Sequence, residues 1–318
     1  MGDLCGSTLL DARHLVKRNS LFNAAAEDHG QKFAGRLGRT DYNVCVKRRA
    51  YGRPFGRRPK LGQHFLVHRG MRERIVELLG CGAGDCWLEI GAGHGEMTAL
   101  LARRAARVLA VEADAWLVSE LRGRFREVPA VEVIHADILQ VSFAELAGAS
   151  GAGSLRVYGN LPYYITSPIL SHLFGSLTLI EDIFVVVQRE VGERLATAPG
   201  RREYGYLSAL TQFYTLPKLL LRIPPGAFRP PPRVQSALVR LKPPGVGSEV
   251  APAEAEAFIR FLGLCFRQKR KTLVNNLRRV YPLAQVQAAL SASGHTLRTR
   301  AEALSVRELL ELYRRLAR

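Results

Sequence analysis

Short apolar runs alternate with stretches of helical spacing between residue 61 and about residue 241. The runs are CWLEI at 86–90, VLAV at 108–111, VEVI at 131–134, RVY at 156–158 and IFVVV at 183–187. Each is too short and too rich in β-branched and aromatic residues for a helix, and helical stretches such as 96–104 separate them. The alternation predicts an α/β fold built on a doubly wound, mostly parallel sheet.

The pattern changes near residue 245. Residues 242–248, KPPGVGS, continue neither a strand nor a helix because they contain two prolines and two glycines. Beyond them, residues 253–264, 269–280, 283–293 and 306–316 have helical spacing and no strand signal. We therefore expect a sheet domain over 59–245 and a small all-helical domain over 246–318.

Residues 1–58 lack a sustained apolar period, so we expect a basic, flexible extension. Seven Lys and Arg and no acid lie between residues 47 and 60. Such a segment can track phosphates, and the alternative is an extension that adds nothing to function.

The net charge of +18, with a pI near 10.3, predicts a polyanionic partner, most naturally nucleic acid. The alternative is an arginine-rich composition throughout the chain, which the clustering of the charge disfavours. The five cysteines are scattered and no secretory segment precedes them, so we expect a reducing, cytoplasmic compartment and no metal site. No apolar run approaches the roughly 20 residues needed to cross a membrane.

A glycine-rich turn and two acids follow the first three predicted strands. Gly91 begins the turn GAGHG, where absent Cβ atoms would let a ligand approach the backbone. Glu112 ends the second strand and could accept hydrogen bonds from both ribose hydroxyls, and Asp137 follows the third strand, where it could accept from an adenine amino group. Each acid alone could be a solvated loop residue, but strand ends of such a sheet converge on one crevice. The pattern predicts a nucleoside site.

The fourth strand leads into NLPY at 160–163, the most specific motif in the chain. The side-chain oxygen of Asn160 and the backbone oxygen of Leu161 could accept the two hydrogens of an exocyclic amine and aim its lone pair at a methyl donor. Tyr163 could stack on an extruded base. The alternative is an ordinary turn at a strand end, and we favour a methyltransferase.

With these motifs in place, the chain resembles the ribosomal RNA small-subunit (16S) adenine N6,N6-dimethyltransferase family, the KsgA/RsmA type, over roughly residues 61–277. The motifs that carry the resemblance are LGQHFL at 61–66, EIGAG at 89–93, Glu112, Asp137, NLPY at 160–163, QREV at 188–191, YG at 204–205, FRPPPRVQS at 228–236 and FRQKRK at 266–271. It implies a Rossmann-like class I methyltransferase sheet with a small C-terminal helical domain.

The resemblance also implies the site. Around the cofactor, S-adenosyl-L-methionine, it places His64, Leu66, Gly91, Glu112, Asp137 and Asn160. His64 stands where the family often has asparagine. Catalysis would involve Asn160, Leu161, Tyr163 and Phe228, the last forming a sandwich with Tyr163 around the target adenine.

The implied substrate is a pair of adjacent adenosines in the hairpin near the 3′ end of 16S rRNA, each methylated twice in the assembling small ribosomal subunit. We expect a monomer without a general base, since the product ammonium can lose its proton to water. One alternative is the related large-subunit (23S) methyltransferase of the macrolide-resistance type. Leu161 and the basic residues 267–271 favour the small-subunit enzyme. The other alternative is an assembly factor that kept the fold and lost the chemistry.

Overall fold

The computed structural model describes residues 63–151 and 153–317, so the predicted N-terminal extension, 1–58, lies outside the described residues. The strands are β1 (Phe65–Leu66), β2 (Cys86–Ile90), β3 (Arg107–Glu112), β4 (Val131–His135), β5 (Leu155–Asn160), β6 (Ile180–Gln188), β7 (Leu216–Ile223), β8 (Phe228–Arg229) and β9 (Ser236–Lys242). The α-helices are α1 (Arg69–Leu79), α2 (Glu96–Ala102), α3 (Ala115–Arg124), α4 (Phe143–Ser150), α5 (Thr166–Phe174), α6 (Arg189–Ala196), α7 (Tyr206–Tyr214), α8 (Pro252–Cys265), α9 (Leu273–Leu277), α10 (Leu283–Ala292) and α11 (Val306–Leu316).

Seven strands form one mixed sheet in the order β4-β3-β2-β5-β6-β9-β7. The pairs from β4 to β6 are parallel, and β9 runs antiparallel to both β6 and β7. All five predicted runs are strands, and the order reverses beside β2, which is where ligands bind in such sheets. The predicted α/β fold with a mostly parallel sheet is confirmed.

Helices cover both faces of the sheet, which is why its central strands read as continuous apolar runs. One core contains Leu88, Val157 and Val185, and the core on the opposite face contains Trp87 and Tyr158. All five residues of β2 are buried. Burial on both faces fixes the position of each strand in the sheet, and the carboxyl ends of these strands carry the site.

The helices after residue 250 pack around a core that also includes residues from the end of the sheet part. Phe258, Phe261 and Leu309 pack there with Tyr204 and Phe213, two residues that precede β7. Phe213 and Phe258 have ring centroids 5.1 Å apart. The helices are therefore docked on α7 through buried aromatic side chains.

Residues 242–248, predicted to be a linker, pack closely on the end of α7. A Cβ on Gly245 would lie 2.5 Å from the backbone nitrogen of Thr215, and one on Gly247 would lie 2.7 Å from the ring of Phe213. Only glycine fits either place without movement. The boundary between 59–245 and 246–318 stays a prediction, since this segment is packed and not loose.

The predicted helix over 269–280 is wrong at both ends, because α9 covers only Leu273–Leu277 and residues 266–271 form turns. The buried amide of Asn276 donates to the carbonyl oxygens of Cys265 (2.8 Å) and Gln268 (3.2 Å). A continuous helix would use those same oxygens for its own backbone bonds. Thr272 then caps α9 by accepting from the backbone nitrogen of Asn275.

Three further observations apply only to the described residues. None of the helices found between residues 63 and 317 is long and apolar enough to cross a membrane. In the same part of the chain, no cluster of His, Cys, Asp and Glu is suited to hold a metal ion. Cys81, Cys86 and Cys265 are free thiols.

Candidate active site

The ends of β2, β3 and β5 lie side by side. Ile90 pairs with Val111 on one side and with Gly159 on the other, so Gly91, Glu112 and Asn160 begin the same edge of the sheet. The register thus brings together three of the residues predicted to bind the cofactor.

The glycine turn after β2 leaves an open cradle. Gly91 has φ 72°, and a Cβ placed on it would meet nothing within 4 Å. Gly93 has φ 58°, and its Cβ would lie 3.1 Å from the ring of Phe65 in β1. Positive φ favours glycine at both positions, and the space above Gly91 suits the close approach of a ligand to the backbone.

Glu112 is buried, with 6% of its surface exposed, and its carboxylate accepts hydrogen bonds from the protein backbone. The backbone nitrogens of Ala113 and Asp114 each lie 2.9 Å from Oε1, and that of Gly93 lies 3.0 Å from Oε2. A carboxylate has about four acceptor positions, so these three bonds leave one for a ribose hydroxyl, where the sequence predicted contacts with both. Glu112 ties the glycine turn to the end of β3, a role that its spacing did not reveal.

Asp137 lies two residues beyond β4 and is exposed. Its Oδ1 accepts from the backbone nitrogen of Leu139 at 3.0 Å and caps a short 3₁₀ helix, Ile138–Gln140. The cap orients the carboxylate and occupies one of its oxygens. Oδ2 remains an acceptor for the amino group predicted to bind here.

Asn160 ends β5, and its amide is held in one orientation. Nδ2 donates to the carbonyl oxygen of His64 at 2.8 Å. Since the NH2 group is engaged with His64, Oδ1 is the atom of the amide that remains to accept. A free Oδ1 is what the predicted contact with an exocyclic amine requires, and that contact stays a prediction.

The turn after Asn160 is fixed by its own backbone bonds. The nitrogen of Leu161 donates to the carbonyl oxygen of Val186 at 3.0 Å, and the nitrogen of Ile165 donates to that of Pro162 at 3.2 Å. Among the residues that the structure describes, no backbone nitrogen in a turn or loop donates to the Leu161 carbonyl oxygen. The turn therefore offers a second acceptor beside Asn160.

Tyr163 is partly buried, and its hydroxyl lies 2.6 Å from Oγ of Ser236 at the start of β9. Burial raises the pKa of this phenol. The His64 ring lies beside it, with centroids 5.5 Å apart, and His64 Nδ1 is 2.8 Å from the carbonyl oxygen of Pro230. Ser236 was not predicted as a site residue, although it ends the motif FRPPPRVQS at 228–236.

Leu66 and Phe228 face each other in the two-stranded pair of β1 and β8. Leu66 is 6% exposed and Phe228 is 0% exposed, and both belong to the core below the site. Phe228 thus has no face open to solvent in this arrangement. Its stacking on an adenine stays a prediction and would require the β1–β8 pair to open.

Glu89 is a buried carboxyl for which the sequence predicts no role. It lies in β2, is 2% exposed, and accepts from Oγ1 of Thr98 at 2.6 Å. Burial, reinforced by the charge of Glu112, raises the pKa of Glu89 to about 8. At neutral pH it is mainly protonated, so it adds little negative charge below the glycine turn.

The chain is similar to known proteins over most of its length. The family model described as ribosomal RNA adenine dimethylase matches residues 55–318. A protein named ribosomal RNA small subunit methyltransferase A, from Acidobacterium capsulatum, is 44% identical over 260 residues, 81% of this chain and 91% of the relative. The protein of that name from Koribacter versatilis is 42% identical over 272 residues, 82% of this chain and 94% of the relative.

Two solved structures have a similar fold. The 23S rRNA methyltransferase ErmE is 27% identical, with a TM-score of 0.64, and the match covers 80% of this chain and 100% of that one. A dimethyladenosine transferase from Plasmodium falciparum is 23% identical, with a TM-score of 0.68 over 78% of this chain and 96% of the other, a likeness of fold alone. The sheet is thus a Rossmann-like class I methyltransferase sheet. Since the family model spans the described sheet and helices together, the chain belongs to the ribosomal RNA adenine dimethylase family.

Proposed function

We propose that this protein dimethylates N6 of two adjacent adenosines in the hairpin near the 3′ end of 16S rRNA, in the assembling small ribosomal subunit, using S-adenosyl-L-methionine. The observation that carries the proposal is the fixed amide of Asn160. Its NH2 group is bound to the His64 carbonyl, which leaves Oδ1 to accept from the amine. Acceptor oxygens at Asn160 and Leu161 fit the two hydrogens of N6.

The cofactor would lie over the glycine turn. Gly91 supplies the open backbone, Glu112 would accept from a ribose hydroxyl, and Asp137 would accept from the adenine amino group of the cofactor. His64, Leu66 and Asn160 would complete the pocket. When bound, S-adenosyl-L-methionine supplies an electrophilic methyl group.

The protein contributes position. Asn160 and Leu161 would orient the lone pair of N6, and Tyr163 would hold the base by stacking on it. The proton released from N6 goes to water, so no side chain is needed as a general base. Positioning of this kind can be worth about 7–11 kcal/mol of the barrier.

Phe228 would form the second face of the adenine sandwich. Because its ring is buried against Leu66, this role includes a movement of β8 when RNA binds. Base stacking on an aromatic ring contributes about 1–3 kcal/mol, enough to offset part of such a movement.

The small-subunit substrate is favoured over the large-subunit one by the degree of similarity. The relatives named ribosomal RNA small subunit methyltransferase A are 44% and 42% identical, against 27% for the 23S enzyme. We propose further that the protein works as a cytoplasmic monomer, with the sheet domain (59–245) for catalysis and the helical domain (246–318) for RNA binding.

The test uses small-subunit particles assembled from unmethylated rRNA, with radiolabelled S-adenosyl-L-methionine. We expect label on two neighbouring adenosines near the 3′ end of 16S rRNA, recovered as N6,N6-dimethyladenosine. Label on 23S rRNA would support the macrolide-resistance type. Cofactor binding without transfer to particles would show an assembly factor that has lost the chemistry.

A further inference from the structure

A cavity of about 220 Å³ opens at the C-terminal end of β6. It is lined by Gln188, Arg189, Glu190, Val234 and Gln235. These residues come from two segments, the end of β6 with the start of α6, and the loop before β9. The cavity is outside the set of residues that hold the cofactor and the target adenine.

The cavity lies beside the proposed adenine site. Gln188 pairs with Ser236 across β6 and β9, and Ser236 is hydrogen-bonded to the hydroxyl of Tyr163. Asn160 pairs with Val186, two residues before Gln188, on the neighbouring strand. Since neighbouring strands lie about 4.8 Å apart and residues along a strand about 3.3 Å apart, Gln188 lies roughly 8 Å from Asn160, and the cavity adjoins the adenine site without being part of it.

Hydrogen bonds join the two segments that form the wall of the cavity. The backbone nitrogen of Arg189 donates to the carbonyl oxygen of Gln235 at 2.8 Å, and its guanidinium donates to Oε1 of Gln235 at 3.2 Å. The second bond orients the Gln235 amide and leaves its NH2 group as a donor. Val234, which is 46% exposed, provides an apolar surface.

The chemistry of the lining suits a nucleobase better than a phosphate. Arg189 and Glu190 carry opposite charges, so the cavity lacks the excess positive charge that a phosphate requires. The amide of Gln188 can donate and accept and that of Gln235 can donate, which is how proteins read the edges of unpaired bases. A guanidinium plane and an aliphatic side chain can pack against the faces of a base.

We propose that this cavity binds the base of the nucleotide next to the target adenosine. It would hold the neighbouring base while N6 of the target lies at Asn160. The inference rests on the proposed function, and it adds a second base-binding site to it. Selection of a target with a particular neighbour would then occur at Gln188 and Gln235.

The experiment measures single-turnover methyl transfer to two kinds of small-subunit particle. One contains intact rRNA, and the other contains a ligated 3′ fragment in which one adenosine of the pair is abasic; transfer is scored only at the remaining adenosine in both. The variants are Gln188→Ala and Gln235→Ala, both of which keep the backbone hydrogen bonds of the cavity wall. Gln140→Ala, an exposed change in the sheet part, is the matched control.

With the wild-type protein, loss of the neighbouring base should slow transfer about tenfold or more, as expected for loss of a base-reading contact. Each cavity variant should slow transfer to intact particles by a similar factor and lose little more on abasic particles, as contacting partners do in a double-mutant cycle. The control should behave like the wild type. Affinity for S-adenosyl-L-methionine and the thermal midpoint should be unchanged in all variants.

Equal wild-type rates on intact and abasic particles would overturn the inference and leave the proposed function standing. Variants that slow transfer to both particles by the same factor would also overturn it. If the wild-type protein failed to methylate intact particles at all, the proposed function would fail, and this inference with it.

Discussion

Asn160 and Glu112 end strands on either side of β2, yet their side chains make different contacts. The Glu112 carboxylate accepts from the backbone of the glycine turn, whereas the Asn160 amide is held by the His64 carbonyl. Asn160→Ala should therefore lower methyl transfer about 100-fold or more while changing cofactor affinity much less, because it removes a contact made at the reacting amine. Glu112→Ala should mainly weaken cofactor binding.

Calorimetry with S-adenosyl-L-methionine and single-turnover kinetics separate these two roles. Gln140→Ala, an exposed change near the same edge, is a control that should affect neither measurement. If Asn160→Ala abolished cofactor binding while Glu112→Ala left it unchanged, the two roles would be assigned the wrong way round.

The buried carboxyl of Glu89 makes the stability of the fold depend on pH. Its pKa is raised by burial from the ordinary 4.5 to about 8 in the folded protein. Between these values the folded state holds a proton that the unfolded state has lost, so stability falls as pH rises through this window. The greatest slope for one such group is about 1.4 kcal/mol per pH unit.

Glu89→Gln should remove this dependence because a neutral amide can still accept from Thr98. Chemical unfolding of the variant and the wild type should give similar free energies near pH 4.5. The variant should then gain relative stability up to about pH 8, and the difference should be constant above it. A difference that did not change with pH would show that Glu89 is ionised in the folded state.

A buried ion pair joins β6 and β9 near the start of β6, at the end of the strand away from the site. Asp182 is 0% exposed and accepts from Nε and Nη2 of Arg240, the shortest distance being 2.6 Å. Asp182→Ala would leave Arg240 without its partner, and loss of one member of a buried pair typically costs about 3–5 kcal/mol. Because Arg240 is partly exposed, we expect a value near the lower end.

Urea unfolding measures this cost, and Glu181→Ala is the matched control. Glu181 is the preceding residue, half exposed, with its carboxylate 3.8 Å from Lys242, so its loss should cost no more than about 1 kcal/mol. Cofactor affinity should be unchanged in both variants. An Asp182→Ala protein as stable as the control would mean that the pair contributes nothing to folding.

The elements that the sequence predicted well are those whose signal is local. The central parallel strands have nearly continuous apolar runs because both of their faces are covered, and the edge strand β4 still has the short run VEVI. Strand β7 was not predicted because it is an edge strand that contains Pro217 and Lys218, and β9 because three prolines precede it at 230–232.

The convergence of Gly91, Glu112 and Asn160 followed from strand order, whereas the bond between Tyr163 and Ser236 joins residues 73 apart, and no local pattern pairs them.

Over the whole molecule, the charge of +18 has a concentrated source in the helical part. Four of the five residues from 267 to 271 are basic, and they lie on turns between α8 and α9. Lys269, Arg270 and Lys271 are exposed, and the ammonium of Lys269 donates to the carbonyl oxygen of Arg202 in the loop before α7. The turn therefore presents its charges to solvent beside the sheet part.

We predict that this turn supplies much of the affinity for RNA, together with Arg278, Arg279 and the basic segment 47–60. Each phosphate contact contributes about 0.7–0.9 to the slope of log affinity against log salt. Replacing Lys269, Arg270 and Lys271 by Gln should therefore flatten the slope by about 2, measured by filter binding to small-subunit rRNA at several salt concentrations.

The control replaces Arg69, Arg74 and Arg126 by Gln, which removes the same charge from exposed positions where each arginine already pairs with a glutamate. If net charge alone attracted RNA, the two triple variants would lose affinity equally. We expect the control to keep nearly the wild-type slope, because its arginines have partners within the protein, and both variants to keep their affinity for S-adenosyl-L-methionine. An unchanged slope and unchanged RNA affinity in the Lys269, Arg270 and Lys271 variant would show that this turn is only a solvated surface.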